Sequence, residues 1–113
     1  MSAPALRGAA AIGLALALLA PTGLLASAHA AETHHVTMKS IDFTPKRISA
    51  RVGDTVEWDN ADMVAHTATA KAGGWEVDVP AKHSGRTVMK EPGAVSYFCR
   101  YHPNMRAEIT VTP

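Results

Sequence analysis

Cysteine is nearly absent from this chain: Cys99 is the only one in 113 residues, so no disulfide can form within it. Small exported domains usually rely on such staples because their cores are small. An unpaired thiol in that setting calls for an occupant, and a bound metal would both cap it and favour the native state. Charge excess is missing as well. Arg7 is the single charged residue among the first thirty, and the remaining chain balances ten Lys and Arg against ten Asp and Glu. That balance gives no reason to expect nucleic acid or an anionic membrane as partner. A Ser-His-Asp spacing, a carboxylate pair and a Gly-rich phosphate loop are also lacking, so no enzyme chemistry has a candidate.

What is present begins with Met1 to Ala30, which carries an apolar stretch from Ala9 to Ala20, a Pro21-Thr22-Gly23 breaker and Ala28-His29-Ala30. This pattern is expected to be a secretory signal peptide cleaved after Ala30. No second apolar run follows, so no membrane span is expected in residues 31–113. With no twin-arginine pair, the expected route is general secretion to the periplasm with metal loaded after export. The remaining 83 residues support one domain, expected to be a monomer.

From Val36 onward short strand-like runs are separated by turn residues, without helical periodicity or repeats. The pattern predicts strands near Val36–Met38, Arg47–Arg51, Thr55–Asp59, Thr67–Ala70, Trp75–Val79, Arg86–Lys90, Ala94–Phe98 and Glu108–Thr112. Gly53-Asp54, Gly73-Gly74, Ser84-Gly85 and Pro92-Gly93 are read as turns. An all-β sandwich of about eight strands follows. Val56 and Trp58 are expected in its core, with Asn60 capping a strand end and tying loops together.

Chemistry concentrates near the C-terminus. Cys99, His102 and Met105 stand at the spacing Cys-x2-His-x2-Met, and His66 lies upstream. One thiolate, two imidazoles and one thioether match the soft donor set that binds copper as a His2Cys plane with a weak axial Met. Other His residues rank lower. Cleavage after Ala30 would put His34 fourth from the free amine, where an amino-terminal copper site wants the third, so His34 and His35 are read as a solvated end. His83 is read as a surface loop residue, and Met38 and Met89 as packing.

The chain resembles the cupredoxins, small blue-copper electron carriers, and among them the amicyanins more than the pseudoazurins or plastocyanins. The resemblance rests on Ile41-Asp42-Phe43-Thr44-Pro45 with Ile48, on Gly53-Asp54-Thr55-Val56-x-Trp58-x-Asn60, on His66, and on Cys99-x2-His102-Pro103-x-Met105-Arg106. It implies a Greek-key sandwich over residues 31–113 and one type 1 copper held by His66, Cys99, His102 and Met105. It also implies redox protein partners, with a periplasmic amine dehydrogenase as donor and a c-type cytochrome as acceptor. A copper chaperone and a metal-free structural domain are the competing readings. Departures from the amicyanin pattern are Thr67 in place of Asn, Tyr101 and Asn104 in the ligand loop, and a shorter segment between His66 and Cys99. The shorter Thr67 side chain is expected to loosen the hydrogen bond to the Cys99 loop. Around His102, Pro103, Val64 and Met63 are expected to form an apolar rim, with Arg100 and Arg106 free to steer acidic partners.

Overall fold

Side chains that alternate in character turn one face of a strand to the core and the other outward. The computed structural model shows this at Thr55–Asn60, where Val56, Trp58 and Asn60 are buried and the residues between them half-exposed. The structure describes residues 29–113 together with residues 2, 4, 13 and 15. Apart from those positions, the leader expected over 1–30 lies outside the described residues.

Nine strands and no helix occur among the described residues: β1 Thr33–Met38, β2 Phe43–Thr44, β3 Arg47–Arg51, β4 Thr55–Asn60, β5 His66–Ala70, β6 Glu76–Val79, β7 Ser84–Val88, β8 Gly93–Phe98 and β9 Arg106–Thr112. They form two sheets, ordered β2-β1-β4-β7 and β3-β9-β8-β5-β6. Pairing is parallel between β1 and β4 and between β3 and β9, and antiparallel elsewhere. The fold is the all-β sandwich that the strand pattern predicts, with the two-residue β2 as the additional strand.

Two predicted turns are corrected, and in one of them, Pro92-Gly93, the glycine is already the first residue of β8. Ser84-Gly85 opens β7 rather than turning the chain. The glycine is there for close approach: a Cβ on Gly85 would lie 2.7 Å from Cγ1 of Val77 in β6, on the other sheet. The missing side chain lets the two sheets meet at that edge.

Between the sheets, Trp58 packs on Tyr97 with centroids 5.6 Å apart and on Trp75 at 5.5 Å, while Phe43 meets Tyr97 at 4.7 Å. Each such contact adds about 0.5–1.5 kcal/mol beyond area burial. Burial pushes the Tyr97 phenol up to about 12. The nearby Trp58 indole tempers that rise, yet its N–H falls short of hydrogen-bond geometry with any partner. Met38 and Met89 are buried in the same core, as read from the sequence.

Asn60 does tie loops together. Its Nδ2 donates to the carbonyls of Val64 (2.9 Å), Val79 (3.1 Å) and Pro80 (3.3 Å), and its Oδ1 accepts the Asp62 N–H at 2.9 Å. Asp54, 1 % exposed, does the same at the opposite end of β4. Its carboxylate accepts the Glu32 N–H at 3.0 Å, His34 Nε2 at 2.9 Å and the Arg51 N–H at 2.9 Å. These bonds hold its pKa well below the usual carboxylate range, the Glu32 N–H foremost.

A depressed carboxylate pKa contributes stability that is present above the unfolded-state value and lost as pH falls toward the folded-state one. Urea unfolding of Asp54→Asn should therefore show a loss at neutral pH that shrinks as pH drops from about 4 toward about 2. A gap between variant and wild type that stays constant over that range would remove Asp54 from the acid response.

Candidate metal centre

The chain leaves β8 at Phe98 and re-enters β9 at Arg106, and hydrogen bonds fold the seven residues between into two successive turns. The His102 N–H donates to the Cys99 carbonyl at 3.2 Å, and the Met105 N–H to the His102 carbonyl at 2.8 Å. The Cys99 N–H closes the loop on the Met105 carbonyl at 3.0 Å. Cys99 and Met105 thereby point into the core, 0 % and 1 % exposed, while His102 between them is only half-buried.

His66, the first residue of β5, is fully buried and meets this loop from the neighbouring strand. Its Nδ1 lies 3.7 Å from Cys99 Sγ, and His102 Nδ1 lies 3.7 Å from the same sulfur. The two imidazoles stand edge to face with centroids 5.1 Å apart. With bonds of about 2.3 Å to sulfur and 2.0–2.1 Å to nitrogen, an ion in a trigonal plane would space its S and N donors about 3.8 Å apart. The three side chains therefore fit a soft or borderline metal ion. Met105 closes the same loop and belongs to the core cluster that contains Cys99.

The orientation of His66 has a cause that the sequence did not reveal. Its Nε2 lies 2.7 Å from Asp62 Oδ2, so a neutral imidazole carries its proton there and leaves the Nδ1 lone pair facing the sulfur. Asp62 is held in turn by a strained turn. Ser40 and Ile41 have φ of 54° and 56°, both left-handed, as a two-residue I′ hairpin turn between β1 and β2 requires. Their N–H groups point at Asp62, at 2.8 and 3.0 Å. Glycine or asparagine would adopt this turn readily, whereas a β-branched Ile there is an outlier. The Asp62 carboxylate stabilises it by answering both amides. The His66 hydrogen bond first, and the Ile41 N–H after it, bring the Asp62 pKa down to about 2. A carboxylate four residues before a candidate ligand was the available sequence signal.

Thr67 corrects one expectation. The hydrogen bond to the Cys99 loop is not loosened: Thr67 Oγ1 accepts the Arg100 N–H at 2.8 Å, and the Thr67 N–H donates to Cys99 Sγ at 3.4 Å. Arg100 departs from its reading as well. Its guanidinium lies 3.4 Å from Glu76 and 3.7 Å from Asp78, so its charge is answered within the chain, and Arg106 Nε donates to the Pro103 carbonyl. Met63 is 80 % exposed, with Val64, Tyr101 and Ile41 about half exposed.

Of the pair read as a solvated end, His35 is exposed as expected and His34 is not. His34 is half-buried on Asp54, and His35 Nδ1 lies 3.1 Å from Glu57 and 3.0 Å from Asp59. His83 is exposed and hydrogen-bonded to the Ala81 carbonyl.

Against known proteins, residues 8–111 match the model of the Cupredoxin-like domain family. The chain is 31% identical to Amicyanin-alpha of Methylorubrum extorquens, covering 98% of this chain and 99% of that protein. Solved structures share the fold. An oxidised Pro-to-Ala variant of amicyanin superposes with TM-score 0.63 at 22% identity, over 70% of this chain and 81% of that one. The Cu(I) form of a Met-to-Ala variant of amicyanin gives 0.62 at 24% identity, over 76% and 88%.

Partners that orient a metal-bound His typically affect affinity about 10–100-fold. Asp62→Ala should weaken metal binding by at least the lower figure in a competitive chelator titration. An unchanged affinity would mean that His66 is oriented by its burial alone.

Proposed function

Because the chain belongs to the cupredoxin-like family, we propose that it is a copper-binding electron carrier. His66, Cys99 and His102 would be its strong ligands and Met105 a weak one. The observation that carries this reading is the convergence of two imidazole Nδ1 atoms on one buried sulfur, each at 3.7 Å. A bound copper ion would supply one-electron exchange between Cu(II) and Cu(I).

The protein's own part is to hold the donors still. His66 is locked by burial and by Asp62, and Cys99 is fixed by the Thr67 N–H and by the turns of its loop. Few atoms then need to move when the ion changes valence. His102 is the only one of the four proposed ligands not fully enclosed, so its edge offers the exit for the electron. Exposed Met63, Val64 and Tyr101 suit a redox partner with an apolar contact face, and with Arg100 already paired, exposed Arg106 is left to steer an acidic one. A soft site closed by four protein donors also leaves no open position for a substrate, which supports a carrier rather than an enzyme. The amicyanin relative makes an amine dehydrogenase and a c-type cytochrome the partners to test first. The leader-like residues 1–30 support a periplasmic setting.

A copper chaperone would present ligands that exchange metal readily. Burial of His66 and Cys99 favours slow exchange instead. The oxidised, copper-loaded protein should be blue through sulfur-to-copper charge transfer, and Cys99→Ala should abolish the colour. A blue Cys99→Ala protein, or a colourless wild type after copper loading, would overturn the reading.

Met105→Gln replaces a soft thioether with a harder oxygen that favours Cu(II), so copper should stay bound at a lower reduction potential. An unchanged or raised potential in voltammetry would reassign Met105 to packing.

A further inference from the structure

On β5 the side chains alternate, with His66, Ala68 and Ala70 toward the core and Thr67 and Thr69 on the outer face of their sheet. Across from them on β6, Glu76 is the register partner of Thr69 and Asp78 of Thr67. Outward polar residues near a sheet edge are ordinarily solvated, yet Thr67 is 0 % exposed. Arg100, the residue after Cys99, turns back over this face to reach both carboxylates.

Three hydrogen bonds and one ion pair close a ring. The Arg100 N–H donates to Thr67 Oγ1 at 2.8 Å, Thr67 Oγ1 lies 2.9 Å from Thr69 Oγ1, and Thr69 donates to Glu76 Oε1 at 2.8 Å. Glu76 Oε2 then meets the Arg100 guanidinium at 3.4 Å. The direction is fixed by proton count. A hydroxyl has one proton to give, and Thr69 gives its own to an ionised carboxylate, which can only accept. Thr67 must therefore donate to Thr69, which leaves its lone pairs for Arg100. The ring runs from the Arg100 amide through two hydroxyls to Glu76 and returns through the Arg100 side chain. It grips that residue at both its backbone and its tip.

We propose that Thr69 and Glu76 are positioning residues for the Cys99 sulfur, acting through Thr67. The ring fixes the peptide that follows Cys99, and Thr67 sets its own N–H on the sulfur from the same residue. Thr69 and Glu76 touch no proposed ligand. Their effect is on how firmly the sulfur is held, and hydrogen bonding around that sulfur tunes a copper–thiolate site. The proposal rests on the copper reading for its spectroscopic consequence, and on the ring alone for its consequence in the metal-free chain.

Three variants test it: Thr69→Val, which removes one hydroxyl at constant shape; Glu76→Ala, which removes the acceptor; and Glu76→Gln, which keeps a carbonyl oxygen for Thr69. In the metal-free protein, Arg100 amide hydrogen exchange and Cys99 alkylation by iodoacetamide should each speed up several-fold in Thr69→Val and Glu76→Ala, and stay near wild type in Glu76→Gln. In the copper-loaded protein, the first two variants should shift the sulfur-to-copper band and lower the Cu(II) affinity about tenfold, with Glu76→Gln restoring both. Unchanged Cys99 alkylation and an unchanged band in Thr69→Val and Glu76→Ala would overturn the proposal, even if Arg100 exchange rose. Should the wild type bind no copper, the functional reading fails separately, and the alkylation rates still decide the role of the ring.

Discussion

A fully buried imidazole beside a fully buried sulfur is a costly arrangement, because polar atoms taken from water need partners. Most of the polar structure around His66 and Cys99 meets that demand. His66 Nε2 finds Asp62, the sulfur receives the Thr67 N–H, and Asp62 receives two further amides from a turn that would otherwise be strained. Asn60, buried at the end of β4, then binds the Asp62 N–H and two of the loops nearby. Each partner is itself held by another element, so these side chains are arranged by the fold itself.

The sequence made half of this legible. Cys-x2-His-x2-Met is a local pattern whose spacing reports its own loop, and alternation in Thr55–Asn60 reports its own strand. His66 was visible as an isolated soft donor. Asp62 was passed over because its value depends on a turn some twenty residues upstream, and left-handed Ser40-Ile41 has no signature in a residue pair that normally avoids such turns. Gly85 was misread for a similar reason. A glycine that permits a turn and one that admits a neighbouring side chain look alike in sequence, and only Val77 across the sandwich tells them apart. Thr67 shows the opposite error: a shorter side chain was expected to lose a contact, while the backbone of Arg100 came close enough to keep it.

A domain of this size without a disulfide must secure its ends by other means. Here β1 lies parallel to β4 from Thr33 to Met38, and β3 lies parallel to β9 from Arg47 to Arg51, so each sheet is closed by strands distant in sequence. Such non-local pairings bear loop-closure entropy before they gain contacts. Asp54 anchors the first of them by binding Glu32 and His34 at the start of β1 together with Arg51 at the end of β3. One carboxylate thus does locally what a covalent bridge would do elsewhere, with the difference that protons can undo it.

The same economy shapes the surface. Arg100 is the charged residue nearest the thiol in sequence, and an unpaired cation there would attract acidic partners. Pairing it with Glu76 and Asp78 answers that charge within the chain and uses the side chain as a brace. Exposed around the loop are apolar side chains, Tyr101 and Pro103 flanking His102 and Met63 and Val64 preceding His66, together with Asn104 and Arg106. A brief contact over such a surface excludes water without requiring matched charges, and it gains little from tight binding. Under the proposed function these features belong together. A donor set fixed before an ion arrives would keep the rearrangement between valence states small, and a contact centred on apolar side chains would let partners leave once the electron has passed.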